Sequence, residues 1–507
     1  MPAGGSSEAR AALGLSPAGV AAFLALHVVV WTVVATLANW SGTLHHDMTE
    51  AYDWGREFQL GYAKHPPVFA WVAGAWFAVF PRTDWAYYLL SALNAAGGLA
   101  GVWLTAGRLL TRPQQTAALL LTVLTPFFNT LAVTFNANAI LLLVWPWTVY
   151  AFVRSIQSLR PADGALFGVA AAVAMGSKYS SILLLVSCLG AAALHPRAKA
   201  YFTSPAPYVA IAVAALLLAP HLAWAFGHRL TTVTYVFEKQ HFSTISALRI
   251  AGASLIGSLA FIGLAAAAFG AIAGRNSANM VRRAMAAAGS PRLRWLTVLA
   301  LAPSLLTVLA GLAVNIKVST NFLIPAFFFI PIAAIAHSGV VVGAAQLVLL
   351  RRFVAGWFIA ALVGAPVFAI VVFQRQSDLT TEPRAEIAAW ATQAWQDAYH
   401  QPLKIAAGTA GYGLGLPFYS PDAPSLFDMF GPAATPWVTP ERIASDGMLI
   451  VCQVADQACA AKAGELATPA GQHRAVRLAH TVLGWRSPEV GFDVFMRPPV
   501  TVGRKQP

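Results

Sequence analysis

Charge is what this chain has least of. Only 10% of its 507 residues are charged, against 58% apolar, and its mean hydropathy is +0.62. Side chains of this kind cannot cover a water-exposed surface, so a soluble multidomain protein is excluded and most of the chain is read as lying in lipid. Acids are scarcest: up to residue 374 there are eight. Cysteines number three. Cys188 lies in an apolar run and reads as inert packing. Cys452 and Cys459 lie in a polar tail and read as a disulfide if that tail is outside the cytoplasm. No P-loop, dinucleotide fingerprint, serine-hydrolase elbow or internal repeat is present. The net charge of +13 is spread over segment ends rather than gathered into a patch, so no nucleic-acid partner is expected.

What is there is a series of apolar runs long enough to cross about 30 Å of hydrocarbon. They fall near 17–40, 84–107, 114–133, 137–153, 163–177, 179–194, 205–226, 248–274, 295–314, 320–337 and 353–374, about eleven spans. The run 339–350 is short, and a split pair there would raise the count to about thirteen. Residues 1–16 read as a disordered start and 17–40 as an uncleaved first span. Basic residues occupy alternate loops: Arg108 and Arg112, Arg154 and Arg160, Arg197 and Lys199, the Arg275–Arg294 cluster, and Arg351 with Arg352. By the positive-inside bias those loops are cytoplasmic. The loop 41–83, the Asn136–Asn138 turn, the loop 228–247 and everything after 375 then face the other side. The expected organisation is a membrane domain over 1–374 and a soluble α/β domain over 375–507, with a helix over 382–400 and strands at 403–407 and 448–454. Twelve of the twenty acids fall in that second domain.

Four of the eight early acids, Asp47, Glu50, Asp53 and Glu57, sit in the first outer loop. A short helix there places Asp47, Glu50, Trp54 and Glu57 on one face. Asp53 and Glu57 are expected to pair with Arg56 or to sit in water. The apolar stretch 67–80 that follows suits a second helix lying along the membrane rather than through it. Between them, Lys64-His65-Pro66-Pro67 forces the chain out of helix. Of five lysines in the membrane part, Lys64, Lys178, Lys239 and Lys317 lie on the side the topology bias disfavours. A misplaced cation near a membrane asks for a partner, and a phosphate is a natural one. Acids beside cations at a membrane surface suggest a site for an anionic lipid-linked substrate. A carboxylate would take a proton from an acceptor hydroxyl as it attacks a sugar anomeric carbon, with cations supporting the leaving phosphate. Asp47 and Glu50 are the candidate bases, and which of the two acts stays open. Lys64, His65, Lys178, Tyr179 and Lys317 are candidates for the phosphate. Tyr52, Tyr62, Asn136, Asn138, His221 and His241 are candidates for a sugar or acceptor pocket. His45-His46 beside Asp47 lacks the spacing of a known metal site, so no metal ligands are assigned and no cofactor is required, although a divalent ion is compatible.

These motifs resemble the GT-C superfamily of polyprenyl-phosphate-dependent glycosyltransferases. Within it they resemble the branch holding the aminoarabinose transferase of lipid A and the dodecaprenyl-phosphate galacturonosyltransferases, with protein mannosyltransferases as relatives. The likeness runs through Asp47-Met-Thr-Glu50-Ala-Tyr52, Gly61-Tyr62-Ala-Lys64-His65-Pro66-Pro67, Thr134-Phe135-Asn136-Ala-Asn138, Trp145-Pro146-Trp147, Ser177-Lys178-Tyr179 and Tyr419-Ser-Pro421-Asp422. The family commonly carries an adjacent acidic pair in the first loop, where Thr49 stands before Glu50 here. It also carries a Lys-Pro-Pro turn, which is here interrupted by His65. The resemblance implies a polytopic helical fold with juxtamembrane helices in the first periplasmic loop and a periplasmic C-terminal domain. It further implies residence in a bacterial inner membrane, a polyprenyl-phosphate sugar donor, inversion at the anomeric carbon, and a lipid or glycan acceptor such as lipid A or lipopolysaccharide core. The rival readings are a transporter or flippase of lipid-linked sugars, which should show internal repeats and ionisable residues at mid-membrane depth, and a non-catalytic subunit of a glycan assembly complex.

Overall fold

The computed structural model describes residues 14–238, 242–274, 277–376, 382–467 and 471–500. In chain order the helices are α1 (Pro17–Ala38), α2 (His46–Glu57), α3 (Val68–Phe77), α4 (Asp84–Leu109), α5 (Arg112–Val123), α6 (Leu141–Ser158), α7 (Pro161–Ser177), α8 (Ser181–Leu194), α9 (Ala198–Thr203) and α10 (Ala206–Gly227). There follow α11 (Thr231–Glu238), α12 (Thr244–Ala260), α13 (Gly263–Ala273), α14 (Ser277–Ala288), α15 (Arg294–Ala313), α16 (Thr320–Leu323), α17 (Ile330–Ser338) and α18 (Ala344–Gln374). Six of the described helices are long and apolar enough to cross a membrane, or eight if each of two bent pairs counts as one span. The protein is therefore an integral membrane protein.

The apolar runs and the helices part company where polar or cyclic side chains interrupt the backbone. The run 114–133 is not one helix. Helix α5 stops at Val123, and the Asn129 amide donates to the carbonyls of Val123 (2.9 Å) and Thr125 (2.8 Å), satisfying acceptors that a continuing helix would have used. The run 320–337 bends by 44°, with Pro325 and Pro331 in its middle, and 248–274 bends by 43° after Ala260. The loop expected over 228–247 contains α11. Arg351 and Arg352 lie inside α18, which takes up most of the doubtful 339–350 segment into one 31-residue helix. The residues 1–13 of the expected disordered start lie outside the described residues.

Two compact units can be distinguished. One holds the chain up to Val33, Lys64–Val68 and Tyr88–Leu362; the other holds Val34–Ala63, Phe69–Tyr87 and Val363–Pro507. In the first, helices approach closely through small residues. A Cβ added to Gly164 or Gly168 of α7 would lie 2.2 Å from the Ala206 carbonyl oxygen or 2.5 Å from that of Ala210 on α10. In lipid, where apolar contact gains little over acyl chains, such close packing is what holds helices together.

The second unit contains α2, α3 and a mixed sheet. Its later elements are α19 (Arg384–Tyr399), β1 (Ile405–Gly408), α20 (Ala410–Gly413), α21 (Leu416–Tyr419), β2 (Ser425–Leu426), α22 (Pro440–Asp446), β3 (Met448–Gln453), α23 (Gln457–Ala467), β4 (Gln472–Leu478), β5 (Thr481–Val482), β6 (Trp485–Arg486) and β7 (Val490–Arg497). The main sheet has the order β2-β1-β3-β7-β4, with β1 parallel to its neighbours and β7 antiparallel to both of its own. Strand β3 is buried on both faces, which explains its unbroken apolar run Met448-Leu449-Ile450-Val451-Cys452. Leu449 and Val451 join Trp395 and Ile387 of α19 on one side, while Met448, Ile450 and Cys452 meet Cys459 and Ala463 of α23 on the other. Cys452 and Cys459 are joined by a disulfide, with Cα atoms 5.5 Å apart.

Candidate active site

Within the second unit, helix α2 carries the first-loop acids, and its packing divides them into two pairs. Asp53 is fully buried, and its Oδ1 accepts from the Leu426 N–H at 3.2 Å. Glu57 accepts from the Ser425 hydroxyl at 2.7 Å, while Arg56 donates to the Ala423 carbonyl at 2.6 Å. The expectation that Asp53 and Glu57 pair with Arg56 or sit in water is thus corrected: these residues dock α2 on the 423–426 segment. Burial, reinforced by the neighbouring Glu57, pushes the Asp53 carboxyl up to about 8, against the pull of the Leu426 N–H and Arg56. Trp54 is buried too, stacked on Tyr62 with ring centres 4.9 Å apart, so the expected face of Asp47, Glu50, Trp54 and Glu57 is not open along its length.

Asp47 and Glu50 form the other pair. Both lie in the first turns of α2 and are half-buried. The Asp47 carboxylate lies 3.3 Å from His46 Nε2 and 3.8 Å from His45 Nδ1, and the two imidazole ring centres lie 4.0 Å apart with their planes tilted by 31°. Burial lowers the His45 pKa, opposed by Asp47 and assisted by His46 and Arg384. His45, His46 and Asp47 each offer a ligand atom within 4.8 Å of the others, and these three residues could hold a divalent ion.

The sequence offered no sign of the clamp that holds this helix. Arg82 donates to the carbonyls of Pro417 (3.3 Å), Phe418 (3.2 Å), Ser420 (2.8 Å) and Pro421 (3.0 Å). The Tyr419 hydroxyl accepts from the Leu44 N–H at 2.8 Å and donates to Asp84 at 3.2 Å. Buried Arg384 pairs with Glu382 and donates to the Leu44 carbonyl at 3.0 Å. The Tyr87 hydroxyl donates to the Met48 carbonyl at 2.5 Å. Helices α2 and α3 cross at Gly55 and Gly74, where a Cβ on Gly55 would stand 2.1 Å from the Ala70 carbonyl oxygen. In the sequence Arg82 and Arg384 are two arginines among many, with nothing to mark carbonyl partners hundreds of positions away.

Tyr52 and Tyr62 pack rather than line a pocket. Tyr52 is 4% exposed, edge-on to Phe77 and Phe418. Tyr62 is buried, and its hydroxyl donates to the Trp54 carbonyl at 2.5 Å and accepts from the Gln59 N–H at 3.2 Å.

The first unit gathers most of the remaining candidates. Lys178 caps the C-terminus of α7 and is 8% exposed; its ammonium bonds the Asn138 amide oxygen and lies 4.6 Å over the Phe322 ring. The Asn136 amide oxygen accepts from the N–H groups of Asn138 (2.8 Å) and Ala139 (2.9 Å), so it shapes the turn that presents Asn138. The next residue, Tyr179, shares hydrogen bonds with His221 Nε2 (2.6 Å) and the Thr232 hydroxyl (3.0 Å). His65 meets Tyr235 edge-on at 6.4 Å, and a Cβ on Gly176 would touch Val68 at 3.0 Å. Helix α11 therefore serves both groups, through Thr232 and Tyr235, which a loop reading of 228–247 hid. Lys64 is half-buried beside His65. Lys317 is exposed, in the segment leading to α16 and Phe322. His241 and Lys239 lie outside the described residues.

Residues 64–224 match the family model of dolichyl-phosphate-mannose-protein mannosyltransferase. Among curated proteins, none matches by sequence. Among solved structures, ArnT from Cupriavidus metallidurans bound to undecaprenyl phosphate is similar at TM-score 0.62 and 14% identity, over 97% of this chain and 100% of that one. Its apo state is similar at 0.58 and 15%, over 96% and 99%. An oligosaccharyltransferase from Archaeoglobus fulgidus, in complex with Zn and sulfate, reaches 0.44 at 13%, over 87% and 69%. The chain thus shares the fold of ArnT over nearly its whole length, and about a third of it matches the mannosyltransferase family model.

Proposed function

We propose that the protein is an inverting glycosyltransferase that moves a sugar from a polyprenyl-phosphate donor to a lipid or glycan acceptor at the periplasmic face of a bacterial inner membrane. The observation that carries the reading is Lys178. An ammonium that is nearly buried in a membrane protein costs several kcal/mol of lost hydration, on the order of the penalty for one desolvated ion. The Lys178 ammonium bonds the Asn138 amide oxygen and lies over the Phe322 ring, and the negatively charged phosphodiester of a lipid-linked sugar is complementary to a cation held there. Lys178, Tyr179, Lys64 and His65 are assigned to the phosphate, with Lys317 as a further cation. Asn138 and His221 are assigned to the donor head. The fold's likeness to a protein that holds undecaprenyl phosphate supports the donor class.

In this reading Asp47 or Glu50 removes the proton from an acceptor hydroxyl. The oxygen then attacks the anomeric carbon, and the carbon–oxygen bond to phosphate breaks from the opposite face. Polyprenyl phosphate leaves with the bonding electron pair, its growing charge met by the cations. Asp53 is excluded as the base, because its buried carboxyl is committed to Leu426.

The test is sugar transfer in proteoliposomes supplied with polyprenyl-phosphate-linked sugars, read by mass spectrometry. Mass spectra of lipid A and core glycans from cells with and without the protein would identify sugar and acceptor. Asp47→Ala combined with Glu50→Ala should reduce transfer by roughly 10²- to 10⁴-fold, the usual contribution of a general base, while the protein still binds polyprenyl phosphate. Undiminished transfer by the double variant would remove the base from α2.

A further inference from the structure

The first unit holds a cleft that the proposed chemistry does not use. It measures about 330 Å³ and opens on one side; its lining, almost wholly apolar, includes Phe167 and Ala171 of α7, Leu189 of α8, Phe202 of α9, and Ile211 and Ala214 of α10. The close crossing of α7 and α10 at Gly164 and Gly168 brings these walls together. At its open side Leu189, Tyr208 and Ile211 are 59%, 60% and 68% exposed. Helix α10 is itself one of the six helices long and apolar enough to cross a membrane, which fits a mouth facing hydrocarbon rather than water.

Cations sit at the ends of the helices that wall the cleft or on the short helix beside it. Arg160 caps the N-terminus of α7, and Arg197 and Lys199 flank or lie on α9, the short helix that contributes Phe202. Arg197 donates to the Gln157 carbonyl, and Arg294 reaches the Leu194 carbonyl at 3.5 Å. All four cations are exposed. The acid on the first turn of α7, Asp163, is taken by Arg154 at 2.7 Å. Basic residues so placed beside an apolar cleft are complementary to an anionic headgroup whose chain enters the cleft.

We propose that this cleft binds one hydrocarbon chain of an anionic membrane phospholipid, with its headgroup among Arg160, Arg197, Lys199 and Arg294. Such a lipid would be separate from the sugar donor. Lys178 caps the other end of α7, a helix of 17 residues, about 25 Å away along its axis. Because acyl chains compete equally for apolar walls in a bilayer, selectivity rests on these cations and shape on the cleft.

The experiment uses the full-length protein in nanodiscs containing phosphatidylglycerol or phosphatidylcholine with a photoreactive group at the chain end, and peptide mapping of the cross-links. Cross-links should fall on α8 and α10 and favour phosphatidylglycerol. Ala214→Phe, which fills the cleft from a half-buried position, should abolish them. Ala215→Phe, on the exposed neighbour, should leave them unchanged and shows that a phenylalanine on α10 is tolerated. Replacing Arg197 and Lys199 with Gln should weaken the preference by roughly fivefold per charge, from about 1 kcal/mol for each basic residue near the surface. Equal labelling by the two lipids would overturn the proposal, as would cross-links that survive Ala214→Phe. Stronger labelling by a tail-reactive polyprenyl phosphate would also overturn it, assigning the cleft to the donor's tail instead.

Discussion

Replacing Asp53 with asparagine should stabilise the protein, and the gain should grow with pH. An aspartate in an unfolded chain titrates near ~3.9, whereas burial lifts Asp53 to about 8. A group whose pKa is raised on folding contributes its stability in full below the unfolded value and loses it as pH rises through the folded one. At pH 7 the unfolded carboxyl is ionised and the folded one still carries its proton. The interval between the unfolded value and pH 7, roughly 3 units at about 1.36 kcal/mol each, is a penalty of up to about 4 kcal/mol. Asparagine keeps the oxygen that accepts from Leu426 and has no proton to hold. Its amide nitrogen falls where Oδ2, buried without a hydrogen-bond partner, now lies, so the desolvation of that atom is similar before and after. The assay is thermal unfolding of both proteins in detergent from pH 4.5 to 8.5, with proteolysis of the 417–426 segment as a local readout. Taking variant minus wild type cancels the titrations that are not coupled to Asp53. The difference should be near zero at the acid end, rise through the neutral range and level off above about pH 8. A flat difference across that range, or one of opposite sign at pH 8, would refute the reasoning.

Lys178→Gln should weaken polyprenyl phosphate binding by roughly 10- to 100-fold, the loss of a hydrogen bond to a charged group worth about 1.5–3 kcal/mol; direct binding measurements check it. Gly55→Ala should fail to assemble or lose several kcal/mol, on the order of the largest single-residue effects, because its Cβ would stand 2.1 Å from a backbone oxygen of α3; yield and thermal stability report it. Removing the Cys452–Cys459 disulfide, which links residues only seven apart, should cost about 2.5 kcal/mol by loop-closure entropy, read from denaturation of the purified protein in oxidising and reducing buffer.

Membrane embedding and the small C-terminal sheet were readable in the chain because each rests on local chemistry. Scarcity of charge, the buried run of β3 and the prolines after His65 act through their immediate neighbours and need no knowledge of the fold. The regrouping of the first loop with residues 363–507 was not readable. It depends on Arg82 meeting four carbonyls and on Tyr419 joining Leu44 to Asp84, partners more than 300 positions away in sequence. The four acids of α2 show the same boundary. Composition marked them as a set, yet only packing against β2 separates a buried, proton-holding Asp53 from a half-open Asp47. Likewise, Thr232 and Tyr235 meet the candidate residues Tyr179 and His65 only because α11 folds beside them. A side chain's type is written in the sequence, but its ionisation and its partners are set by the dielectric and the distances that tertiary structure creates.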